Sequence, residues 1–129
     1  MATGMPASTG DVLSAPMFNE LVQFTINTQS GATYTLASTD QYQVLILTSN
    51  ASTKTVSIPT DATTNFGIGT AITIINTGAG LLTINAVTPG TTTVTSSGAT
   101  SASPTLSQHG AAVCIKTAAN TWRVVGGIA

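Results

Sequence analysis

At 129 residues the chain is long enough to bury roughly two-thirds of its unfolded surface in one core without disulfides or metals. Charged residues make up 5% of it with a formal net charge of -1, against about 25% charged in ordinary soluble domains, so self-repulsion is weak and sheet edges lack the charges that normally block pairing. Lys54, Lys116 and Arg123 lie too far apart for a basic stripe, the lone Cys114 has no internal disulfide partner, and no run reaches the roughly 20 apolar residues of a membrane span, so neither a nucleic-acid nor a membrane partner is expected.

Residues 1–10 are small, polar and Pro/Gly-containing, which reads as an extended arm that needs a partner to hold it. They lack the charged start and apolar centre of a secretory signal, so export by that route is not expected. In residues 11–21 (DVLSAPMFNEL), Ser14 and Pro16 precede Met17, Phe18 and Leu21, as at the start of a short capped helix. The expected organisation is therefore an arm with a short helix over 1–21 and a β domain over 22–129.

From Val22 onward the pattern is strand and turn, with strands expected at 22–27, 32–36, 43–48, 55–58, 70–76, 81–86, 92–95, 112–116 and 121–125. Many short strands at regular spacing predict an all-β fold, an antiparallel β-sandwich or jelly roll. Val44, Leu45, Ile46 and Leu47 are apolar on both faces, which places them in a central strand or at a subunit contact. Pro59 ends the fourth strand, and Phe66 in the loop that follows is expected to plug the end of the core. Two alternating runs, 70–76 and 81–86, flank a loop with Gly78 and Gly80 and read as a β-hairpin at the heart of the domain. Residues 98–104 form an exposed loop. A last hairpin joins 112–116 to 121–125 through a turn at Asn120, with Trp122 and Val124 on one face and Arg123 and Val125 on the other. No repeat of 20 to 50 residues is evident.

Little in this sequence carries chemistry. His109 precedes a strand with no companion motif, no serine sits in a nucleophile elbow, and Cys114 reads as a small buried hydrophobe. Of the four acids, Asp11 and Glu20 bracket the expected helix, while Asp40 and Asp61 fall in loops where turn formation is their expected work. One His and one Cys cannot make a structural zinc set, and the Gly-x-Gly pairs at 67–69 and 78–80 run into strands rather than a helix N-terminus, so no metal, cofactor or catalysis is expected. Asn50-Ala51-Ser52 matches a glycosylation acceptor by chance composition.

The ordered set of motifs resembles the β-rich structural proteins of tailed bacteriophages. Gly10-Asp11-Val12-Leu13-Ser14-Ala15 followed by Asn19-Glu20-Leu21 is similar to an opening frequent in virion proteins. The similarity continues through residues 33–36 with Asp40, then 55–59, Phe66-Gly67-Ile68-Gly69, residues 72–80, and the closing Trp122-Arg123-Val124-Val125-Gly126-Gly127. The resemblance implies a non-enzymatic virion component, made in the host cytoplasm, that is a homotrimer or another symmetric oligomer. The shaft and repeat segments of phage fibres have no counterpart in these residues, so a capsid decoration (cement) protein that ties the major capsid protein or other virion proteins together is expected first. Met5, Val12, Leu13, Met17 and Phe18 are then the expected shell-binding anchors, with Val44, Leu45, Ile46 and Leu47 at subunit contacts. A tail fibre, tail tip or head fibre protein reading the host surface through loop Asn and Thr residues, Tyr42 or Trp122 is the alternative.

Overall fold

A computed structural model describes residues 23–129. The expected arm and short helix over 1–21, with Met5, Val12, Leu13, Met17 and Phe18, lie outside the described residues. Among the described residues ten strands run in chain order: β1 (Thr25–Gln29), β2 (Thr33–Thr35), β3 (Val44–Thr48), β4 (Lys54–Ile58), β5 (Ala71–Asn76), β6 (Leu82–Ala86), β7 (Thr93–Ser96), β8 (Thr105–Leu106), β9 (Ala111–Ala118) and β10 (Thr121–Gly126). A 3-10 turn covers Ser38–Gln41. They form a six-stranded sheet in the order β1-β3-β5-β9-β10-β7 and a four-stranded sheet in the order β2-β4-β6-β8.

Both sheets are mixed, and this corrects the expected antiparallel pairing. β1–β3, β3–β5, β2–β4, β4–β6 and β7–β10 pair parallel, whereas β5–β9, β9–β10 and β6–β8 pair antiparallel. The cause is the path of the chain: strands from β1 to β6 alternate between the two sheets, so each returns beside the strand laid down two elements earlier. The segment 70–86 is consequently not a hairpin. β5 belongs to the larger sheet and β6 to the smaller, and the loop between them is an arch that turns both apolar faces onto one core.

A repeat is thus present in the structure where none was evident in the sequence. The unit β3–arch–β4 is stacked on β5–arch–β6 with Leu45 opposite Thr73 and Lys54 opposite Leu82, and partners such as Thr48 and Asn76, or Ser57 and Asn85, stand 28 residues apart. The arches touch as closely as the strands. A Cβ on Gly78 would meet the Asn50 carbonyl oxygen at 2.1 Å, and one on Gly80 would meet that of Ser52 at 1.9 Å. These glycines are therefore required by close backbone approach between coils.

The core lies between the sheets. Val44, Ile46, Ile72, Ile74, Cys114, Trp122 and Val124 enter it from the larger sheet, and Val56, Ile58, Leu82, Ile84 and Leu106 from the smaller. Phe66 is 2% exposed and packs edge-on to Trp122, with ring centroids 5.5 Å apart at 87°. It is the plug expected of it. β9 and β10 form the expected antiparallel pair, with Trp122 and Val124 inward and Asn120 at φ 49° in the turn. β8, two residues beside β6, was not anticipated.

Candidate interaction surface

Parity along each strand decides what the outer faces carry, because successive side chains point to opposite sides. In the larger sheet the outward residues align across strands in three rows. The middle row runs Ile26–Leu45–Thr73–Val113–Val125; Thr28–Leu47–Ile75–Ala111 flanks it on one side and Ala71–Ile115–Arg123–Thr95 on the other. Aliphatic side chains dominate these rows, and Arg123 is their single charge. Ile26 is 54% and Val125 42% exposed, while Leu45, Leu47, Ile75, Val113 and Ile115 are half-buried. The smaller sheet is the opposite in chemistry. Its outward rows are Thr33–Thr55–Thr83–Thr105 and Thr35–Ser57–Asn85, and within the second row the Ser57 hydroxyl donates to Asn85 Oδ1 at 2.8 Å. One outer face is an apolar ladder and the other a hydroxyl ladder.

Of the residues expected at subunit contacts, Val44 and Ile46 are buried in the core, whereas Leu45 and Leu47 lie on the apolar outer face. The sequence reading missed Ile75, Val113, Ile115 and Val125 on the same face. The signal was available in part: residues 112–115 are apolar at both parities, as 44–47 are, and in 72–75 Ile75 breaks the alternation of Ile72, Thr73 and Ile74.

Four of the charged side chains, Asp40, Asp61, Lys54 and Lys116, are engaged in holding the fold. Asp40 is 2% exposed; its Oδ2 accepts the Tyr34 hydroxyl at 2.5 Å and the Ala37 N–H at 2.8 Å, and its Oδ1 accepts Asn27 Nδ2 at 2.9 Å. Burial first, then this bond to Asp40, pushes the Tyr34 hydroxyl up to about 12. Asp61 accepts Lys116 Nζ at 2.8 Å and the Asn120 N–H at 3.0 Å, and the Lys116 bond holds its carboxyl below the usual range. Lys116, 1% exposed, donates also to Asn65 Oδ1 at 3.1 Å and to the Phe66 carbonyl at 2.7 Å, so its three protons are all used. Lys54 clips the stacked arches together: its ammonium donates to the carbonyls of Asn50 at 2.6 Å and Gly80 at 2.9 Å, and desolvation lowers its pKa. Asn76, fully buried, donates to Gly80 and Leu106 carbonyls, both at 2.9 Å. Burial raises the Cys114 thiol to about 12, the opposite of an activated thiolate. His109 sits exposed in a turn at φ 71°.

Two shallow recesses have neutral linings. One of about 290 Å³ is formed by Ser38, Thr39, Gln41 and Tyr42, the last 60% exposed. Another of about 380 Å³ lies between Asn85–Ala86 and the segment around Thr92–Val94. Trp122, 1% exposed, is closed off from any surface ligand. No group of three or more His, Cys, Asp or Glu able to hold a metal occurs among the described residues. Comparison of the chain with protein families, with curated proteins and with solved structures gives no match.

Proposed function

We propose that this protein is a non-enzymatic structural component of a bacteriophage virion, a capsid decoration protein built as a β-sandwich of mixed sheets. It acts by burying surface against its neighbours. The observation that carries this reading is the apolar outer face of the six-stranded sheet, set against a hydroxyl-bearing face on the other sheet. A face of this kind gains free energy when it is covered, at about 25 cal/mol per Å² of apolar area removed from water. The motif order set out above supplies the phage context and the expectation of a homotrimer or another symmetric oligomer. In that setting the protein stabilises an assembled shell by binding it and not its dissociated subunits, and several contacts held in one oligomer add avidity. Residues 1–18 supply the shell anchors Met5, Val12, Leu13, Met17 and Phe18. Occupancy on purified capsids tests this: a chain lacking residues 1–18 is expected to lose binding at least tenfold, and undiminished occupancy would remove these residues from the mechanism.

One observation favours a second reading, host-surface recognition. The neutral recess flanked by exposed Tyr42 has the hydroxyl, amide and aromatic groups that a sugar ring uses. Binding of the protein to intact host cells, abolished by Tyr42→Ala, would favour it over shell binding.

A further inference from the structure

We infer that the apolar outer face of the six-stranded sheet is the contact between copies of this chain, with a second copy's identical face as its occupant. The inference rests on reading this face as an interaction surface, and is independent of whether a capsid is the larger partner.

Three observations select a copy of the same chain. First, the face is neutral except for Arg123, so a charged partner has almost nothing on it to pair with, whereas an equally neutral, flat aliphatic ladder loses no polar contact by covering it. Second, Arg123 lies off centre, in a flanking row and on the fifth strand of six. A two-fold axis in the contact plane near central Thr73 carries it away from its symmetry mate, either to the opposite row or to the β3 side. No like-charge clash arises, and both guanidinium groups can reach the rim. Third, the apolar character continues to the open edge. Beside β1, the edge strand among the described residues, Phe24 is 53% and Ile26 54% exposed, and none of the residues of β1 is charged.

Sheet geometry sets the strength of the contact. Six strands about 4.8 Å apart, with three rows about 6.7 Å apart, give a projected footprint of roughly 400 Å² per copy, or about 800 Å² for a pair. That lies below the about 1,200 Å² at which stable, specific interfaces begin, so assembly through this face is weak, reversible and concentration-dependent.

Sedimentation velocity on the full chain, over a range reaching about 0.1 mM, tests the inference with two matched variants. Thr73 and Thr83 are both half-buried threonines on interior strands, one central to the apolar face and the other central to the hydroxyl face. Urea unfolding of each variant reads what lysine costs the single chain, so weaker association of a variant that stays folded isolates the contact. The wild type is expected to sediment as an oligomer of the 12.9 kDa chain, Thr83→Lys to match it, and Thr73→Lys to associate at least tenfold more weakly with an unchanged circular dichroism spectrum. Should Thr73→Lys fail to fold, Val125→Lys on the same row, 42% exposed in the single chain, replaces it with the same expectation. A monomeric wild type overturns the inference. So does an oligomer indifferent to lysine on this face, which would place the contact elsewhere, for instance on residues 1–22. Equal dissociation of the two lysine variants overturns it as well.

Discussion

Replacing Lys116 by methionine removes a buried ammonium that makes three hydrogen bonds while keeping its stem. Lys116 Nζ holds Asp61, Asn65 and the Phe66 carbonyl at 2.8, 3.1 and 2.7 Å, and it is 1% exposed. The substitution leaves the Phe66 carbonyl buried without its donor, at about 1–3 kcal/mol. Asp61 loses its cation but keeps the Asn120 N–H, and at 21% side-chain exposure it regains part of its hydration. Breaking a fully buried pair costs about 3–5 kcal/mol; discounted for that exposure, the expected loss is about 3 kcal/mol. For a domain of this size that lowers the melting temperature by roughly 12 °C. Calorimetry and urea titration read it directly. The bond to Lys116 also makes Asp61 a source of acid sensitivity. Its folded pKa is depressed, so its stabilisation is complete above the unfolded value near 3.8 and is lost as pH falls through the lower folded value. Lys116→Met should flatten that acid limb. A loss below about 1 kcal/mol, with the acid limb unchanged, would refute the view that this ion pair fastens the 59–70 loop and its Phe66 plug to β9.

Gly80→Ala should destabilise by more than about 3 kcal/mol, because a Cβ 1.9 Å from the Ser52 oxygen forces the stacked arches apart. Gly90→Ala, with open space around it but φ 94°, should cost only about 1–2 kcal/mol; equal losses measured by urea unfolding would refute the close approach. Tyr34 has a folded pKa raised to about 12 from 10.0, so its contribution is intact below about 10 and is lost as pH rises toward 12. Tyr34→Phe should remove that alkaline limb, and an ultraviolet tyrosinate titration of the wild type should show one tyrosine ionising near 12; a wild type with no tyrosine titrating there would refute it.

Strand positions were largely legible because alternation marks a half-buried strand wherever it occurs, and each of the nine expected segments overlaps a strand of the structure. Pairing was not legible, for a local reason. Two alternating runs around a glycine loop describe a hairpin and an arch equally well, since both place Ile72, Ile74, Leu82 and Ile84 on a core. They differ only in whether the runs bond to each other or to strands about 28 residues away. The stacked coils share Ile46/Ile74, Ala51/Ala79 and Thr55/Thr83 and little else between 45–59 and 73–87. The preceding coil joins them at a different spacing, Thr25 opposite Val44 and Thr33 opposite Thr55, so no fixed period emerges. Lys54 held a clue: it shares parity with Val56 and Ile58, and a lysine at an inward position needs carbonyls to receive it, which the arches at Asn50 and Gly80 provide. The apolar outer face was half legible. Leu45 and Leu47 were singled out by a run apolar at both parities, but the strands that complete the face could be added only once sheet order placed β5, β9 and β10 beside β3.

An image reconstruction of the intact virion, at a resolution that resolves strands, would show which face of this chain is covered. This chain is expected on the head shell, with the outer face of its six-stranded sheet covered by neighbouring protein and its Thr83 face toward solvent. A chain seated with the Thr83 face buried and the Leu45–Thr73–Val113 row bare to water would contradict it.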